Sequence, residues 1–142
     1  MSRVINPDSN GKQRNQLMRT AAEILRRLSQ KTDIDNEVRD MVAMLVFCFR
    51  EIDEGIDQSA AAWEKRDYWV KAEEFRQRWR WAGDMADQLQ ALVYQDDWAQ
   101  LPQMMIKLLP RVADITITKM TRKESLWDGA YERLMKQRPP LG

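Results

Sequence analysis

Apolar residues recur along most of this chain in steps of three and four, the period of a helix with one buried stripe. A first helix is predicted from Pro7 to about Lys31, with Asn6 as its N-cap and Pro7 at the first helical position, where a missing N–H costs nothing. Gly11 weakens its first turns. The stripe reads Leu17, Ala21, Ile24 and Leu28, flanked by Met18 and Leu25, and opposite lie Lys12, Arg19, Glu23, Arg26 and Arg27. Thr32-Asp33-Ile34-Asp35 then offers several capping side chains in succession, without singling one out.

The second helix is predicted from about Asn36 to Arg66, roughly 46 Å at about 1.5 Å per residue. Val38, Val42, Leu45, Phe49, Ile52, Ile56, Ser59 and Trp63 form a heptad-like seam along it. Between Met41 and Phe49 it is apolar nearly all round, so it is either the central helix of the domain or buried between subunits. The turn is placed at Lys65 to Asp67, although no Gly or Pro forces it and a continuous helix there would give an intertwined dimer. A third helix, about Tyr68 to Tyr94, carries the seam Tyr68, Ala72, Phe75, Trp79, Ala82, Ala86, Leu89 and Val93. The two seams can zip into an antiparallel hairpin, small Ala positions admitting large neighbours.

Asp96-Asp97 is a second acidic cap signal before a fourth helix, about Asp97 to Ala113, burying Leu101, Met105, Leu108 and Val112, with Pro110 set to kink or end it. Asp114-Ile-Thr-Ile-Thr reads as extended. A short helix from about Lys123 to Lys136 would put Trp127, Ala130, Tyr131 and Leu134 on one side, and the last residues, from Arg138, read as a mobile end. The expected fold is all-α: an up-down four-helix bundle over residues 1–113 with a long central helical hairpin, and a C-terminal extension over residues 114–142.

Charge modifies this picture mainly by its distribution. Residues 1–31 hold seven basic and two acidic groups, residues 32–67 four and ten, and residues 98–142 eight and four, within a net charge of +1. Basic ends beside an acidic middle offset one another within a fold, and they also leave room for an anionic partner. The lone Cys48 lies in an apolar run, which excludes an intramolecular disulfide framework. The first residues offer no apolar core for a signal peptide and no apolar run is long enough to span a bilayer, so a cytoplasmic protein with no membrane partner is expected.

The absence of histidine removes Ser-His-Asp and Cys-His catalysis and every His-containing metal site. Scattered glycines form no phosphate-cradling loop, and no cofactor is expected. What remains is carboxylate chemistry: Glu51, Asp53 and Glu54 on the second helix face Asp84 and Asp87 on the third. The arrangement resembles the acidic clusters of all-helical nucleotide pyrophosphohydrolases of the MazG type, and the resemblance implies a magnesium site at Glu51, Glu54, Asp84 and Asp87. Helical rotation instead turns Glu54 and Asp84 away from the seam, and a solvated acidic face is the preferred reading.

The stretch Ala60 to Gly83 holds four of the six tryptophans among Lys65, Arg66, Lys71, Arg76, Arg78 and Arg80. Trp63, Phe75 and Trp79 are seam positions and read as core, whereas Trp69 and Trp81 fall off the seam. With Trp127 and Tyr131 of the basic C-terminal segment, they are the expected partner-binding residues. The leading expectation is therefore a non-catalytic helical interaction protein or small subunit of a larger assembly, associating with itself or a protein partner. An alternative is backbone binding of single-stranded nucleic acid through Arg76, Arg78, Arg80, Lys119, Arg122 and Lys123. In size and helix content the chain is similar to the small helical subunits of nucleoprotein effector complexes such as those of CRISPR systems. The third possibility, the hydrolase, follows only from the acidic clusters.

Overall fold

A computed structural model describes residues 7–140, with side chains described from Asn10 onward. The expectations for the extended residues 1–6, the Asn6 cap and the last two residues lie outside that range. Five α-helices and two short 3-10 turns, with no strand, make up the described residues: α1 Pro7–Leu28, α2 Asn36–Glu64, α3 Trp69–Tyr94, α4 Leu101–Val112 and α5 Ala130–Lys136. None is long and apolar enough to cross a membrane.

α2 is the central helix, because its sequence is apolar on more than one side and each side has a neighbour. Met41, Val42, Ala43, Leu45, Val46, Cys48 and Phe49 are all buried, covered by α1, α3 and α5. The expected α2 seam is buried except Trp63, which is half-buried. Its N-cap is Asp35, whose Oδ1 accepts from the Val38 N–H at 2.9 Å. On α3 the seam is buried from Ala72 to Val93, with Trp79 half-buried, but Tyr68 is exposed. That position precedes the helix, where the periodicity no longer governs direction.

The α2–α3 turn uses aspartate where glycine is usual. Asp67 has φ 63°, the Tyr68 N–H donates to the Trp63 carbonyl and the Asp67 N–H to the Glu64 carbonyl, each at 3.0 Å. This pair of bonds reverses the chain while satisfying the last carbonyls of α2. The end of α3 repeats it: Asp96 has φ 53° and the Asp97 N–H reaches the Leu92 carbonyl at 2.9 Å. Asp96 thus terminates α3, and Asp97, which precedes the next turn, makes no side-chain capping bond, so the acidic pair Asp96-Asp97 does not cap the following helix as the sequence suggested. Aspartate tolerates the left-handed region better than most residues, so a hairpin forms without Gly or Pro.

α4 begins after a 3-10 turn at Trp98–Gln100, and Pro110 lies inside it, two residues before its end. From Asp114 to Lys123 the chain has no regular structure and lies along α1. The C-terminal segment shares the bundle's core: Trp127, Ala130 and Leu134 are buried with the residues of α1, α2 and α3. α5 is only seven residues long and is secured at both ends. Asp40 of α2 accepts from the Tyr131 N–H at 3.0 Å, and the Tyr94 hydroxyl of α3 donates to the Leu134 carbonyl at 2.9 Å.

A buried carboxylate joins this segment to α1. Glu23, on the side opposite the α1 stripe, is wholly inaccessible to solvent. It accepts from Arg19 Nε at 2.7 Å, from the Thr121 N–H and hydroxyl at 2.6 Å each, and from the Arg122 N–H at 2.9 Å. Burial pushes its carboxyl upward, but the donors from Arg19, Thr121 and Arg122 outweigh that and hold it at about 2. Around it, Arg19 donates to the Thr116 and Lys119 carbonyls and Arg26 to the Ile117 carbonyl. Side chains of α1 thus satisfy backbone groups that no ladder serves.

Candidate interaction surface at the hairpin tip

The tip of the α2–α3 hairpin is built by the aspartate turn, which sets Tyr68 and the first turn of α3 beyond the bundle's cover. Tyr68, Trp69 and Val70 are 55%, 59% and 73% exposed, three consecutive apolar side chains in solvent. The off-seam position of Trp69 left it either covering a neighbouring helix or standing at an exposed edge, and it stands exposed. Val70 was missed, although an apolar residue off the seam and adjacent to such a tryptophan carries the same signal.

Just below the tip the helices are firmly joined. Trp63 and Phe75 meet edge to face with centroids 4.8 Å apart, and Lys71 Nζ lies 4.7 Å from the Trp63 ring centroid. Arg14 of α1 stands 5.1 Å from the ring centroids of both Phe75 and Trp79. The exposed side chains therefore project from a rigid base, and their ordering on binding costs little extra entropy.

The other expected partner residues are placed differently. Trp81 is half-buried, edge-on to Phe49 at 5.6 Å and covered by Arg111 at 5.0 Å. Trp127 is 1% exposed, its Nε1 donating to Glu37 at 3.4 Å. It anchors the C-terminal segment and is not available to a partner, which corrects its assignment to a binding surface. Tyr131 is half-buried, its ring centroid 6.5 Å from that of Trp98.

The basic residues considered for nucleic acid also divide. Arg76 pairs with Glu64 at 2.6 Å and Asp57 at 3.3 Å. Arg122 donates to Thr20 Oγ1, to the Gln16 carbonyl and to Gln16 Oε1. Both serve the fold. Arg78, Arg80, Lys119 and Lys123 are exposed, the first two on α3 and the others in the irregular segment along α1.

The carboxylates do not assemble into a metal centre. Glu51, Glu54, Asp84 and Asp87 are exposed, and among the described residues no group of three or more Asp, Glu or Cys side chains is placed to hold a metal ion. Asp53, not Glu51, meets α3 at Gly83, where a Cβ would lie 2.8 Å from its Oδ1. Burial against the helix, followed by repulsion from Asp57, Asp87, Asp84 and Glu54, raises its carboxyl above the ordinary range. Cys48 is no nucleophile either, since burial first and Glu51 second push its thiol up to about 12. No family model, curated protein or solved structure matches this chain.

Proposed function

We propose that this chain is a non-catalytic helical interaction protein that docks a protein partner through the hairpin tip. The observation that carries the reading is the exposed run Tyr68-Trp69-Val70 on a base stiffened by Trp63, Phe75 and Arg14. Such a patch is unfavourable in water and gains most from an apolar pocket that buries the tryptophan, the commonest kind of hot spot. A cytoplasmic location belongs to the same proposal, in keeping with one free, buried cysteine.

The test is isolation of the tagged protein from its own cells, with and without nuclease, beside a Trp69→Asp variant. A partner protein that survives nuclease and disappears with Trp69→Asp supports the reading, because an exposed residue can be changed without unfolding the bundle. Partners retained equally by the variant overturn it.

The nucleic-acid alternative rests on Arg78, Arg80, Lys119 and Lys123, since Arg76 and Arg122 are engaged within the fold. It requires affinity for single strands that falls steeply with salt, and a flat salt response removes it.

A further inference from the structure

Two arginines gather on one aromatic ring in this protein, with no carboxylate to balance either. The Arg50 and Arg133 guanidinium carbons each lie 5.6 Å from the Phe47 ring centroid. Arg50 donates to the side-chain carbonyls of Gln137 and Gln90, and Arg133 to the Asp128 main-chain carbonyl at 3.3 Å. All three acceptors are neutral, and neither arginine joins an ion pair among the described residues. Arg19, Arg27 and Arg76, by contrast, each meet a glutamate, at 2.7, 3.0 and 2.6 Å. Like charges gathered at one ring repel each other, so the arrangement favours an anion beside it.

The same ring lines a hollow of about 460 Å3 between α1, α2 and the C-terminal segment, a size within the range of small-molecule sites. Leu17, Met44 and Phe47, all half-buried, form its floor with Cys48, and Leu126, 44% exposed, stands at its lip. Arg133 and Gln137 face it from the C-terminal side. The one carboxylate in its lining is Glu51, which also borders a narrow crevice against Asn10, Gln13 and Arg14 and so sits toward α1. Thr20 is already occupied, its hydroxyl donating to the Gln16 carbonyl and accepting from Arg122.

An apolar floor with surplus positive charge on one side is complementary to an amphipathic anion. We propose that the hollow binds a small organic carboxylate with an apolar body. The body lies on Leu17, Met44 and Phe47, and the carboxylate meets Arg133 in a field that Arg50 reinforces. A guanidinium fork matches a carboxylate in shape as well as charge. Two arginines less one glutamate leave a single positive charge, which a carboxylate balances and a doubly charged phosphate exceeds. Because the lining comes from α1, α2 and the C-terminal segment, the bound ligand ties that segment to the bundle, at a place separate from the Trp69 surface.

Octanoate is the probe, and octylamine its cationic counterpart of the same chain length. Titration of the full chain, followed by calorimetry and amide resonances, should show saturable octanoate binding that shifts resonances around Leu17, Phe47 and Arg133 and leaves Trp69 unmoved. Arg133→Gln should weaken it about tenfold, the loss of one charge-assisted contact, and Arg133→Lys should retain part of the affinity. Arg133 is exposed, so helicity is unchanged in both variants. Glu51→Gln, which removes the opposing charge, should tighten octanoate binding, and amide exchange across α5 should slow in the complex. Absence of saturable octanoate binding overturns the proposal. So does octylamine binding equally well, or an affinity that Arg133→Gln leaves unchanged.

Discussion

The α2–α3 hairpin and the C-terminal segment from Asp114 to Pro140 share one core yet are held by different physics. The hairpin is joined by continuous apolar seams in which small buried residues, Ala72, Ala82 and Ala86, alternate with large ones, and a lost contact there is shared among many neighbours. The C-terminal segment buries only Trp127, Ala130 and Leu134 in that core and is held besides by discrete polar ties: Glu23 to Thr121 and Arg122, Asp40 to Tyr131, Tyr94 to Leu134, Arg50 to Gln137. A seam tolerates small changes along its length, whereas a clamp depends on a few atoms. The hairpin should behave as the most protected unit and the C-terminal segment as one that can open on its own.

The largest expected effect is at the anchor. Trp127→Ala removes a wholly buried indole and should cost about 3–5 kcal/mol. Amide exchange should then accelerate across α5 and the Thr121 region while the α2–α3 amides stay comparatively protected. Uniform acceleration would mean that the two regions unfold together and would erase the contrast.

Next is Glu23→Gln, which keeps the shape but removes the charge that three residues of donors converge on. A cost of about 3 kcal/mol in denaturant unfolding is expected, because donors arranged for a carboxylate are left with a poorer acceptor. The same clamp has a pH signature. With the Glu23 carboxyl held below its usual 4.5 at about 2, its stabilisation is fully present above the ordinary value and is lost as pH falls through the lower one. The Thr121 and Arg122 amide resonances should therefore move together in that acid window, and resonances that titrate near 4.5 would show the clamp to be weak.

The smallest effect belongs to the hairpin turn. Asp67→Gly relieves a left-handed aspartate that makes no side-chain bond among the described residues, and a gain of about 0.5 kcal/mol in thermal unfolding is expected. Asp96→Gly should gain less or lose stability, since Asp96 Oδ1 accepts from Trp98 Nε1 at 2.6 Å. Equal responses at the two turns would show that this bond contributes nothing.

The same division governs what could be read from the chain. Helix stripes and both seams were legible because periodicity records local burial, and burial dominates along α2 and α3, whereas the turn at Asp67 and the exposure of Trp69 were each one of two readings that periodicity left open. The site reading failed where a side chain's role depends on one distant partner. Arg122 and Arg76 looked like free cations beside aromatics but are tied to Thr20 and Glu64. Trp127 looked like an isolated anchor in a basic tail, yet it fills the core.

By itself, then, the sequence determined an all-helical chain with two long apolar seams, because a repeating apolar stripe has one favourable solution in water, while the turn at Asp67 that folds them into a hairpin was left to the structure. It also excluded histidine-dependent catalysis by composition alone. Only the tertiary structure decided that Glu23 is a buried hub, its partner Thr121 lying 98 residues away, and that the C-terminal segment completes the core. Only it left Ile106 and Leu109 of α4 exposed to solvent. A polar group becomes a clamp, and an apolar one a free surface, only through what the rest of the chain brings against it, and neighbouring letters do not record that.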